Sequence, residues 1–66
     1  MQITEEYIGT IETNEGVFYI VRVGDELRAG WLVMVSDRHE IDPYLSLEEH
    51  TQEFGATILE KYGYVE

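Results

Sequence analysis

Between Asp37 and Glu53 the chain gathers two imidazoles and six carboxylates, among them Asp37, His39, Glu40, Asp42, Glu49, His50 and Glu53. Imidazole nitrogens and carboxylate oxygens are the donors that hold zinc and related ions. The histidines stand far apart in the chain, however, and match no known ligand spacing. Solvated loop charges, with His50 at the edge of a helix–sheet contact, account for them more simply, and no metal or other cofactor is expected. Paired carboxylates also serve acid–base catalysis, but with 14 Asp and Glu among 66 residues such pairs arise by chance. A chain this short offers little room for the concave pocket an enzyme needs. Cysteine is absent, Ser36 and Ser46 are the only serines, and the six glycines are dispersed rather than grouped into a phosphate-cradling loop. The residues therefore predict a protein without catalytic activity.

Charge is the stronger signal. Fourteen acids face four basic side chains, for a formal net charge of −10 and a sequence pI of about 4.3. A chain so acidic and poor in aromatics would be disordered, but this one is 44% apolar and carries Tyr7, Phe18, Tyr19, Trp31, Tyr44, Phe54, Tyr62 and Tyr64. It has the material for a core, so its charge must lie on a folded surface, where it repels itself. The length predicts one small acidic domain, residues 1–66, burying only about 60% of the surface exposed by its unfolded chain. The lack of disulfides favours the cytoplasm, and the polar, acidic start from Met1 to Glu6 is unlike a signal peptide. The longest apolar run, Trp31 to Val35, is far too short to span a bilayer. Nucleic acid and anionic lipid should both be repelled, which leaves basic protein surfaces as the natural partners.

These charges must be positioned by regular elements. Residues 3–13 alternate loosely and are rich in β-branched and aromatic types, as a strand is. Asn14-Glu15-Gly16 forms a three-residue loop, Val17 to Val23 a dense second strand, and Gly24-Asp25-Glu26 a second loop. Leu27 to Ser36 completes a three-stranded antiparallel meander. Three-residue loops pair Ile11 with Tyr19 and Tyr19 with Trp31. They gather Ile3, Tyr7, Ile11, Val17, Tyr19, Val21, Val23, Leu27, Ala29, Trp31, Val33 and Val35 on the core face. Asp37 to Leu45, with the only proline, reads as a connecting loop. Ser46-Leu47-Glu48-Glu49 is a capping box, and the helix it opens runs to Lys61 or Tyr62, with Gly63 placed to end it. Leu47, Thr51, Phe54, Ile58 and Tyr62 form its apolar stripe, and Gly55 permits close approach to the sheet. The expected architecture is α+β, in the order β-β-β-α, with one C-terminal helix packed on one face.

Two surfaces remain as candidate contacts. One is acidic: Glu48, Glu49, Glu53 and Glu60 on the outward helix face, then Asp37, Glu40 and Asp42 in the preceding loop. The other is the uncovered sheet face, which this register assigns to Ile8, Phe18, Ile20, Leu32 and Met34. An exposed apolar patch of that kind marks an interface.

In size, charge and outline the chain resembles the small acidic inhibitors of phages and mobile elements, including anti-CRISPR proteins and other DNA mimics. The resemblance covers the whole chain in outline, without a shared motif. It implies an inhibitor that occupies the basic surface of a nucleic-acid-binding protein or complex and so blocks nucleic-acid access, in the host cytoplasm if phage-encoded. Two other readings stay open: a structural or regulatory subunit that forms a homodimer or hetero-complex through the uncovered sheet face, and an immunity or antitoxin-like protein.

Overall fold

The computed structural model describes residues 4–31 and 34–65. Four strands, β1 (Glu5–Thr13), β2 (Gly16–Val23), β3 (Glu26–Trp31) and β4 (Met34–Glu40), precede one helix, α1 (Leu47–Tyr62). The strands pair in sequence order as a single antiparallel sheet. The α+β architecture with a C-terminal helix agrees with the sequence expectation, while the number of strands is four rather than three.

Both hairpin loops are one residue shorter than the composition suggested. Thr13 pairs with Gly16 across Asn14-Glu15, and Val23 pairs with Glu26 across Gly24-Asp25. The buried Thr13 draws the first loop tight: its hydroxyl donates to the Gly16 carbonyl at 2.8 Å and accepts from the Glu15 amide at 3.1 Å. Gly24, with φ of 63°, occupies the first loop position, where a type II′ hairpin requires glycine.

One residue per loop turns the central strand over, because side chains alternate between faces. Ile11 now lies opposite Phe18 rather than Tyr19, and Ile20 lies opposite Ala29. Phe18, Ile20, Leu27, Ala29, Phe54 and Ile58 form the buried core, with Ile8, Ile11, Ile41, Leu47 and Tyr62 packed around it. The assignment of Phe18 and Ile20 to an uncovered face is thus corrected: they are 0% and 2% exposed beneath the helix. Tyr7, Val17, Tyr19, Trp31 and Val35, expected in the core, are exposed. The energetics favour this choice. Burying a Phe or Ile side chain stabilises by about 1.5–3 kcal/mol, whereas a buried tyrosine must also find a partner for its hydroxyl. A register shift between Tyr7 and Gly9 separates the two ends of β1, leaving Ile8 half-buried. Ile3, Leu32 and Val33 lie outside the described residues.

The fourth strand joins the end of the expected third strand, Met34 to Ser36, to the start of the expected loop, Asp37 to Glu40, so the run Leu27 to Ser36 is divided between β3 and β4. Met34–Glu40 pairs with β3, with a register shift between Ala29 and Gly30. A Cβ at Gly30 would stand 2.0 Å from the Met34 carbonyl oxygen, so only glycine admits that approach. The Ser36 hydroxyl, at the irregularity, donates to the Ala29 carbonyl at 3.1 Å.

The helix follows its sequence signals closely. Ser46 Oγ accepts from the Glu49 amide at 3.2 Å while Glu49 reaches back to the Ser46 amide, closing the capping box. Gly63 ends the helix with φ of 91°, its amide donating to the Leu59 carbonyl at 2.8 Å. The Gly63 carbonyl then accepts from Asn14 at 2.9 Å, fastening the helix end to the first hairpin loop. At Gly55 a Cβ would meet Ile11 Cδ1 at 3.2 Å, consistent with the close helix–sheet approach expected there. Among the described residues no helix is long and apolar enough to cross a membrane.

Candidate functional site

The helix divides the candidate acids into three environments. Glu48, Glu49, Glu53 and Glu60 are all exposed on α1. They are not equivalent, because Glu49 spends its carboxylate on the capping box, accepting also from Ser46 Oγ at 3.1 Å. Glu40, at the end of β4, is exposed and stands opposite Glu26. Asp42 lies at the helix N-terminal end, where its carboxylate accepts from the Tyr44 amide at 2.9 Å.

Asp37 is at the opposite end of the helix and is internally committed. Lys61 Nζ donates to Oδ1 at 2.6 Å, Tyr62 Oη donates to Oδ2 at 2.5 Å, and Ser36 Oγ donates to Oδ2 at 2.9 Å. Burial by itself would push the Asp37 carboxyl up. The hydrogen bonds from Lys61, Tyr62 and Ser36, with the Lys61 charge, outweigh it and hold the carboxyl below its ordinary value. Lys61 is raised in return, chiefly by its hydrogen bond to Asp37. This network pins the middle of β4 to the last turn of α1.

The other basic side chains are similarly engaged. Arg28 Nε lies 2.6 Å from Glu26 Oε2, Arg38 reaches the same oxygen at 4.0 Å, and Arg22 Nε donates to the Gly24 carbonyl at 3.1 Å. Pairs this exposed contribute little stability. They do bear on where charge is left over: Arg28 and Lys61 lie against acids of the same chain, and the outward helix face keeps its carboxylates in solvent.

The second candidate surface is the sheet face away from the helix. Tyr7, Tyr19, Val21, Arg28 and Val35, with Trp31 and Met34, line an open groove of about 460 Å³. Trp31 is 43% exposed, and its ring also rests on Phe18, with centroids 5.0 Å apart. Of the apolar residues assigned to an interface from sequence, Met34 lines this groove and is exposed, Ile8, Phe18 and Ile20 pack in or on the core, and Leu32 lies outside the described residues.

The sequence groups His39 and His50 as possible metal donors only to set them aside for want of a known ligand spacing, and the structure brings them together. His39 projects from β4 toward the helix, and His50, only 2% exposed, meets it from the first turns of α1. His39 Nε2 and His50 Nδ1 are 3.0 Å apart. Glu53, one turn beyond His50, adds a carboxylate oxygen within 4.8 Å of both. The His50-x-x-Glu53 spacing was the available signal, since residues three apart share a helix face. The His39 contribution was hidden by reading β4 as a loop.

Comparison of the chain with protein-family models, curated proteins and solved structures finds no match.

Proposed function

We propose that this chain is a non-catalytic inhibitor of the anti-CRISPR or DNA-mimic type. Its acidic helix face occupies the basic surface of a nucleic-acid-binding protein or complex and blocks nucleic-acid access, in the cytoplasm. The observation that carries this reading is the distribution of charge. Arg28 and Lys61 pair with Glu26 and Asp37 within the chain, Arg22 donates to a backbone carbonyl and Arg38 approaches Glu26 at 4.0 Å, while Glu48, Glu49, Glu53 and Glu60 stand exposed along one helix. A protein groove that binds phosphates through Lys and Arg offers the same donors to carboxylates, with arginine able to grip them bidentately.

The test is affinity capture from a nuclease-treated host lysate, comparing the wild type with a Glu48→Lys/Glu60→Lys variant. Those two positions leave the capping box untouched. The wild type should recover one nucleic-acid-binding protein, released by moderate salt and displaced by added DNA or RNA, and the variant should not. Recovery unaffected by the charge reversal would overturn the acidic-helix mechanism.

A second reading, an assembly subunit that buries its open sheet face, is favoured by the half-exposed aromatic groove around Tyr7 and Tyr19. A dimer in sedimentation equilibrium, dispersed by Tyr19→Asp, would support it. A monomer at every concentration would remove its homodimer form.

A further inference from the structure

We infer that His39, His50 and Glu53 form a divalent transition-metal site, zinc by its donor set, that clips β4 to the helix. The three donor atoms lie within 4.8 Å of one another. In a tetrahedral zinc site, ligand atoms at ordinary bond lengths stand about 3.3 Å apart. The two imidazole nitrogens, at 3.0 Å, must part by a few tenths of an ångström and tilt so that both lone pairs converge on one ion. Glu53 closes the remaining distance by turning an exposed side chain.

The surroundings supply what an isolated group of donors lacks. His50 Nε2 is 3.1 Å from the Asp42 carbonyl oxygen and 3.5 Å from its carboxylate. With its proton on Nε2, His50 donates to these acceptors and turns the Nδ1 lone pair toward His39. In the other tautomer Nε2 accepts from the Asp42 amide at 3.2 Å, and Nδ1–H donates to His39. Metal selects the first, the carbonyl- or carboxylate-oriented imidazole found behind zinc ligands generally. The His39 ring is steadied by stacking on Phe54, with centroids 5.4 Å apart at 26°. Two nitrogens and one carboxylate oxygen suit zinc rather than calcium or magnesium, which favour oxygen shells. Three protein ligands leave a fourth position for water. A net charge of −10 also raises the local concentration of cations. Because the ligands come from β4 and α1, they converge only in the folded chain, so binding stabilises the fold.

The experiment is a titration of chelator-treated full chain with zinc chloride at neutral pH, read by calorimetry, by thermal unfolding and by histidine ring resonances in NMR. The expected result is one ion per chain, a Tm that rises with zinc, and shifts in both histidines, with magnesium producing none of these. His39→Asn and Glu53→Gln, at half-buried and exposed positions that leave the apolar core intact, should each weaken zinc at least as much as the ~10–100-fold lost with an outer-shell partner. Absence of saturable 1:1 binding overturns the site. So does an affinity unchanged in both variants, which would place the ion on surface carboxylates instead.

Discussion

The two faces of the sheet differ by a single residue of register and have opposite fates. The face under the helix holds Phe18, Ile20, Leu27 and Ala29, and its polar members on β4 find partners on the helix: Asp37 with Lys61 and Tyr62, His39 with His50. The open face carries Tyr19, Val21 and Arg28 around a groove, with apolar bodies half in water. Tyrosine belongs there because it keeps its hydroxyl hydrated while its ring covers part of the sheet. The covered face therefore accounts for folding, and the open face and the outer side of the helix are what the molecule exposes to solvent.

The sharpest way to break this comparison is to truncate neighbouring residues of β2. Phe18→Ala should destabilise by about 3–5 kcal/mol through lost burial and a cavity. A chain of this size has only about 3–10 kcal/mol in all, so much of it would unfold. Tyr19→Ala, one residue on but on the open face, should cost about 1 kcal/mol or less. Denaturant titration of the two variants decides the matter, and equal losses would show that the faces are not as described.

A smaller effect separates the polar contacts of the covered face from surface pairs. Tyr62→Phe removes a hydroxyl that donates to an ionised carboxylate, a loss of about 1.5–3 kcal/mol. Against it, Arg28→Met on the open face breaks a partly solvated pair with Glu26, for a loss of about 0–1 kcal/mol. If Tyr62→Phe proves no more costly than Arg28→Met, the Asp37 network does not anchor the helix end.

The same network has a pH signature. Asp37 is held below its ordinary value, so its contribution is fully present above the unfolded carboxylate pKa and is lost as pH falls through the lowered folded value. The stability gap between the wild type and Asp37→Asn should accordingly be constant near neutrality and shrink in acid. A gap that widens in acid would reverse the sign and exclude the carboxylate as the stabilising form. Lys61 is raised, so its share persists below the ordinary lysine pKa and fades only as pH climbs through the raised value.

Much of this fold was legible in the sequence, and the exceptions have physical causes. The capping box at Ser46, the stop at Gly63 and the stripe through Phe54 and Ile58 are local signals, read within one helical turn. The strand positions of Tyr7 to Val23 were equally plain. Register was not, because Asn14-Glu15-Gly16 admits a two- or a three-residue loop and β2 is apolar on both faces. Composition cannot choose between Phe18 and Tyr19, whereas the Thr13 hydroxyl and the cost of a buried phenol can. The fourth strand escaped because Met34 to Ser36 read as the end of the third strand and Asp37, Arg38, His39 and Glu40 lack apolar alternation. Their inward members, Asp37 and His39, bond to polar helix side chains, Lys61, Tyr62 and His50, and His39 alone also stacks on the core residue Phe54. Misreading that strand also hid the meeting of His39 with His50, which no spacing rule along the chain contains. The acidic helix face was visible as a pattern, but the commitment of Glu49 to the cap and of Asp37 to Lys61 needed coordinates.

The weakest expected effect is that of salt, and here the two exposed surfaces act against each other. Salt screens the attraction of Arg28 and Arg38 for Glu26 on the sheet, which lowers stability slightly. It also screens repulsion among Glu48, Glu49, Glu53 and Glu60 on the helix, including the like-charged pair formed by Glu49 and Glu53 one turn apart. Few cations oppose a net charge of −10, so relief of repulsion should win. Raising ionic strength from about 0.01 to 0.15 M shortens the screening length from about 30 to 8 Å. Each ~1 kcal/mol of stability gained would raise Tm by about 4–8 °C in a domain this small, so even partial relief is measurable. Tm should therefore rise over that range, and rise less in the Glu48→Lys/Glu60→Lys variant, whose repulsion is already reduced. A flat or falling Tm in the wild type would mean that the carboxylates are too dispersed to act as one surface, and the case for an anionic docking face would fall with it.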